Sequence, residues 1–190
     1  MSRTKIFIDA GHNYSQFNTG AEGNGMREQD ITFEVSFLLG EILKSNFDIR
    51  LSRPTLETNL GTDTNSSINV RWQMANEWGA DYFISVHVNA GGGTGAETFI
   101  AATKPDDRAF ALAVNDTYAA AMNLRNRGVK LDTESNAGSL SVLRHTDMPA
   151  IMIELAFIDS PPQNPDVQIL RDRRADMAAA LAKGINQYLG

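Results

Sequence analysis

A few residues could do chemistry in this chain, and they stand at telling places. Of its 3 histidines, His12 closes the run Ile8-Asp9-Ala10-Gly11-His12. His87 stands near the end of a strong strand pattern, in Ser85-Val86-His87-Val88-Asn89-Ala90. Glu154 is the one carboxylate in the apolar run Ala150-Ile151-Met152-Ile153-Glu154-Leu155-Ala156-Phe157-Ile158, and Glu28 opens the first helical pattern. Two imidazoles and a carboxylate suit a catalytic zinc, which takes three protein ligands and leaves a fourth position for water. A further carboxylate outside the ligand set then works on that water. The spacing is not the compact H-E-x-x-H pair of one helix, so two unrelated histidines are the competing reading. Glu28 equally suits a helix first turn, where an acid complements the dipole, though its place after the loop from His12 lets it fold back. A charged Glu154 in an apolar run needs a partner, a proton or a metal. It could also lie at a strand end and reach solvent, or pair with an arginine.

These residues need elements to position them, and the pattern alternates strand and helix, which favours an α/β layer fold. Strands are expected at Thr4–Asp9, Asp48–Ser52, Tyr82–Val88, Thr98–Ala101, Leu140–Leu143 and Ala150–Leu155. Helices are expected from Glu28 to about Ser45, Ile68 to Trp78, Asp106 to Met122, and from the Asn164-Pro165 start to about Tyr188. Leu124–Gly138 is polar and ambiguous, and Glu57 to Ser67 reads as a rim loop. With a period of two, Ser85, His87 and Asn89 share one strand face and Val86 and Val88 the other. In open α/β sheets ligands gather beyond the carboxyl ends of strands, where His12 and His87 both fall. His145 reads as a surface-loop residue, with lining the cleft as the alternative. Asp9 is either a partner for a ligand histidine or structural. Trp72 and Trp78 share a helical pattern and read as core rather than as sugar platforms.

Composition excludes several classes. The 190 residues suit one domain, 1–190, and are 42% hydrophobic, too apolar for a disordered chain. No run approaches the roughly 18 apolar residues of a membrane span, and with no Cys there is neither a disulfide framework nor a thiolate nucleophile. The net charge of −6, with no basic patch, argues against nucleic acid. The basic stretch Arg171-Asp172-Arg173-Arg174 is interrupted by acid and reads as a solvated helix face. The start, Met1-Ser2-Arg3-Thr4-Lys5-Ile6, has no apolar h-region, so no secretion signal is expected. Neither a phosphate-binding glycine motif nor a G-x-S-x-G elbow is present.

One family has these pieces in this order: Ile8-Asp9-Ala10-Gly11-His12, Arg27-Glu28, Leu51-Ser52-Arg53, Arg71 with Ala75-Asn76, Ala80 through Ala90, and Val142-Leu143-Arg144 through Glu154. From about Lys5 to Tyr188 the chain resembles a zinc-dependent N-acetylmuramoyl-L-alanine amidase of the amidase-3 type. The resemblance implies that His12, Glu28 and His87 bind one zinc and that Glu154 is the catalytic carboxylate. It implies a twisted, mostly parallel sheet with helices on both faces. The substrate implied is peptidoglycan, cut between the muramic acid lactyl group and L-alanine of the stem peptide, so the protein is expected to act at the bacterial cell wall. Without a signal the chain fits a phage endolysin domain better than an excised autolysin domain, and a wall-binding module is expected to be either absent or removed from this chain. Another zinc amide or peptide hydrolase on the same frame, or a non-catalytic wall-binding domain, are the alternatives. The family often has Pro where Ala10 stands and Gly where Ala156 stands, so a methyl is expected close to the site. Where the family has Arg-Gly before the strand after His87, this chain has Thr94-Gly95-Ala96-Glu97.

Overall fold

The computed structural model describes residues 3–190; Met1 and Ser2, which begin the stretch read for a leader, lie outside them. Strand β1 is Lys5–Ala10, and a hairpin of β2, Glu22–Gly23, and β3, Met26–Arg27, leads into helix α1, Glu28–Leu43. Then come β4 (Asp48–Leu51), α2 (Thr64–Trp78), β5 (Tyr82–Asn89), β6 (Ala96–Ile100), α3 (Arg108–Met122) and β7 (Asn126–Leu131). The chain closes with α4 (Ser141–Arg144), β8 (Ala150–Phe157), α5 (Pro165–Asp172) and α6 (Arg174–Leu189).

The six-stranded sheet has the order β4-β1-β5-β8-β6-β7. Only the β6–β8 pairing among its five is antiparallel. The chain goes from β1 out to β4 through α1, then back past β1 to β5 through α2. That reversal opens a crevice beyond the carboxyl ends of β1 and β5. Alternation splits the sheet between two cores. Ile6, Ile8, Ile84, Val86, Ile151 and Ile153 face α1, α3, α5 and α6. Phe7, Phe83, Phe99 and Met152 face α2 and α4 through Ala75, Val142 and Leu143. Helices therefore cover both faces, as expected.

Several expectations need correction. Leu140–Leu143 is not a strand: Ser141–Arg144 is a single helical turn, because a short apolar run carries no period that separates the two. Helix α2 starts at Thr64 rather than Ile68, where Asp63 accepts the Ser66 N–H at 2.8 Å in a capping box. The closing helix is two, α5 and α6, broken at Arg173. The ambiguous segment contains β7, a polar edge strand.

Candidate metal centre

The first part of the site is the turn after β1. His12 has φ 65°, a left-handed conformation that costs a non-glycine residue about 1 kcal/mol. Buried side chains hold it there. Arg71, 2% exposed, donates from Nη1 to the Ala10 carbonyl and from Nη2 to the His12 carbonyl, both at 2.6 Å. The Gly11 carbonyl between them accepts from Thr32 Oγ1 at 2.7 Å and from the fully buried Arg53 Nη1 at 3.4 Å. Asp9 is not a partner of a ligand histidine. Its carboxylate accepts from Arg71 Nη1 at 2.6 Å and from Ser85 Oγ at 2.7 Å. Burial pushes this carboxyl up, but Arg71 and the two nearby serine hydroxyls outweigh it and hold it below the usual range.

Glu28 folds back from the start of α1 instead of serving its own helix. Its Oε1 lies 3.1 Å from His12 Nε2 and 3.1 Å from His87 Nδ1. Oε1 also accepts the Val88 N–H at 2.9 Å, and Oε2 accepts the Ala21 N–H at 2.8 Å. Burial raises the pKa of this carboxyl, and the two imidazoles more than reverse the effect, so Glu28 stays ionised. The imidazole rings meet edge to face, with centroids 4.8 Å apart.

Three observations show that this cluster fits a metal. One ligand atom from each of His12, Glu28 and His87 lies within 4.8 Å of the others. His12 Nδ1 is buried without a hydrogen-bond partner. Glycines make the room: a Cβ on Gly11 would stand 2.6 Å from His87 Nε2, and one on Gly20 would stand 2.6 Å from Glu28 Oε2. The donor set, two imidazoles and one carboxylate, is that of catalytic zinc sites.

Glu154 stands beside this cluster, paired in register with His87 on β5 and with Glu97 on β6. Its Oε2 is buried with no partner. Burial, then the neighbouring Glu28 and Glu97, push its pKa well above the usual carboxylate range. The residue is half-buried at the cleft wall, and it pairs with no arginine among the described residues. After Glu154 the pairing with β5 shifts, with three residues of β8 set against two of β5. Such a bulge reverses the alternation of side chains. That turns the Ala156 methyl into the main core and Phe157 into the cleft. The methyl expected near the site is therefore absent from it.

The cluster and Glu154 open into a cleft of about 650 Å³. Next to Glu154, on β6, Glu97, which sequence reasoning did not single out, accepts Arg127 Nε at 2.6 Å and Lys130 Nζ at 2.5 Å on Oε2. Asn89 Nδ2 donates to its Oε1 at 2.7 Å. Sequence reasoning also gave Arg53 and Arg71 no task. The signal was there for Arg71, an arginine one turn before Ala75 on the buried stripe of an otherwise polar helix. His145 stays outside the cleft, its ring 5.2 Å from that of Trp72. Trp78 packs against Phe7, with centroids 6.5 Å apart, in the second core. Arg171, Arg173 and Arg174 make intramolecular contacts, the last two with Asp176 and Glu34.

A mostly parallel sheet with a two-histidine, one-glutamate cluster at its switch point defines an α/β protein with a cluster that could hold a metal. The chain belongs to the N-acetylmuramoyl-L-alanine amidase family of the amidase-3 type, whose sequence profile matches residues 6–187. It is 37% identical over 163 residues to a sporulation-specific N-acetylmuramoyl-L-alanine amidase of Bacillus subtilis (strain 168), covering 82% of this chain and 57% of that protein. It is 31% identical over 192 residues to an endolysin of Bacillus phage SPP1, covering 97% of this chain and 65% of the endolysin. The chain thus spans about three-fifths of these relatives' length. The structure of an N-acetylmuramoyl-L-alanine amidase from Clostridium difficile 630 superposes with a TM-score of 0.82 at 26% identity, covering 100% of this chain and 98% of that one.

Proposed function

We propose that this protein hydrolyses the amide between N-acetylmuramic acid and L-alanine in peptidoglycan, at the bacterial cell wall. In this reading residues 1–190 act as one catalytic unit. The observation that carries the proposal is the meeting of His12, Glu28 and His87 beside an unpartnered Glu154 in one cleft. Family membership supports the choice of bond.

His12, Glu28 and His87 would hold one zinc ion. Bound there, zinc supplies Lewis acidity toward the amide carbonyl and makes a water acidic near neutral pH. The chain's own groups do the rest. Glu154 takes a proton from the attacking water, and its carboxyl then gives that proton to the departing alanine nitrogen. Its environment favours the protonated form, which suits the delivery step, and a nearby dication favours the ionised form needed for the first. Arg71 and Arg53 hold the turn that carries His12. Hydrogen bonds from the Val88 and Ala21 amides fix both oxygens of Glu28. These outer contacts orient the ligands.

The test is to digest purified walls and identify the new amino termini. The proposal predicts new N-terminal alanine and no new reducing sugar ends. New termini on any other residue, or reducing ends alone, would overturn it.

A further inference from the structure

The cleft has an acidic end and a cationic end. Arg127 and Lys130 stand on β7, two strands from β8, which is about 10 Å at the usual strand spacing. Their side chains are 25% and 28% exposed, and both face the cleft. Each uses one N–H on the same oxygen of Glu97. Arg127 also stacks on Phe157 at 5.0 Å and makes a long 3.4 Å contact to the Thr94 carbonyl. Their remaining N–H groups have no protein partner among the described residues. Two cations and one carboxylate leave a net positive charge here. The other acid on this wall, Glu134, turns its carboxylate to the Leu131 N–H at 2.7 Å.

We propose that Arg127 and Lys130 form a subsite for a free carboxylate on the peptide side of the scissile amide. This rests on the amidase reading above. In a muramoyl peptide the lactyl carboxyl is consumed in the amide and the sugar's other groups are neutral, so free carboxylates lie on the peptide alone. An extended peptide advances about 3.3–3.6 Å per residue. Both cations reach back to Glu97, the cross-strand neighbour of Glu154, so the recognised carboxylate falls within the first few residues beyond the bond cut. Glu97 is a positioning residue in this scheme: it gathers both cations and leaves their other donors toward the cleft. The substrate's direction follows, with peptide over β6 and β7 and sugar over the turn after β1. These 190 residues carry −6, so their net charge does not attract an acidic polymer, and a local cationic contact offsets that.

The experiment compares two muramoyl tripeptides, one with its peptide carboxylates free and one with them amidated. The native protein is expected to show a KM about tenfold lower for the free acid, the size of one charge-assisted contact at a partly exposed site. Lys130→Met should narrow that ratio to about twofold, and Lys130→Arg should keep it. Calorimetric titration with the same two tripeptides lacking the sugar gives a second readout, with the same preference and the same loss in Lys130→Met. Equal KM values in the native protein, or a ratio that survives Lys130→Met, would overturn the subsite. If neither fragment is cut at the lactyl amide, the amidase reading fails. The titrations then judge the subsite alone, and equal binding of both peptides would refute it.

Discussion

Replacing Gly11 by Ala tests how the proposed metal ligands are held. The added Cβ would stand 2.6 Å from Nε2 and Cε1 of His87 and 2.7 Å from the Val86 carbonyl oxygen. The backbone cannot easily retreat, because the Gly11 N–H bonds that same carbonyl at 3.0 Å and the Gly11 carbonyl is held by Thr32. Opening a 2.6 Å contact to an ordinary 3.4 Å asks the His87 ring to move by about 0.8 Å. Ligand positions tolerate only about 0.5 Å. Zinc affinity should therefore fall by about 10–100-fold, as for lost outer contacts, and overpacking should cost about 1–3 kcal/mol of stability. Gly25→Ala is the control. Gly25 has open space around it but φ 73°, so it should lose about 1 kcal/mol and no zinc affinity. Chelator competition for zinc and urea unfolding measure the two effects. Full zinc affinity in Gly11→Ala, or equal losses in both variants, would refute the account of the ligand geometry.

Other outcomes follow from the same contacts. Arg71→Met strands the fully buried Asp9 carboxylate and should cost about 3–5 kcal/mol in urea unfolding, where a loss below 1 kcal/mol would contradict the clamp. Burial raises the Asp132 carboxyl, but Arg144 and the Ala102 and Leu140 amides outweigh it, to about 2. A pKa lowered on folding gives stability that is present above the ordinary 3.8 and lost as pH falls toward about 2. Asp132→Asn should flatten acid unfolding in that window, and an unchanged acid profile would count against it. Asn24 has φ 52° and donates from Nδ2 to the Ile158 and Ser160 carbonyls at 2.8 and 2.9 Å, tying the β2–β3 turn to the end of β8. Asn24→Ala should cost about 1–2 kcal/mol by thermal unfolding; no loss would mean the tie contributes nothing.

Sequence and structure agree where period and residue type suffice. The alternation of Ser85, Val86, His87 and Val88 names both faces of β5, since Val86 and Val88 are buried in the main core while His87 meets Glu28. The hairpin before α1 is not legible in the pattern although Asn24-Gly25 is a two-residue turn signal, because its strands are only two residues each. The bulge after Glu154 has no composition cue, so the side on which the Ala156 methyl lies is not legible in the sequence. The cationic end of the cleft depends on β6 running against β8, a strand direction that no local pattern encodes. Glu28 illustrates the limit: its helix-start position suits a dipole role, and only the tertiary fold brings it to two imidazoles.

The central claim is that His12, Glu28 and His87 hold the metal while Glu154 does the proton transfer. It is tested most directly by measuring zinc content and release of N-terminal alanine from walls, on the native protein and on Glu154→Ala. The account predicts one zinc per chain in both, with alanine released by the native protein only. A Glu154→Ala variant that releases alanine at the native rate, or a native protein that holds no zinc, would contradict it.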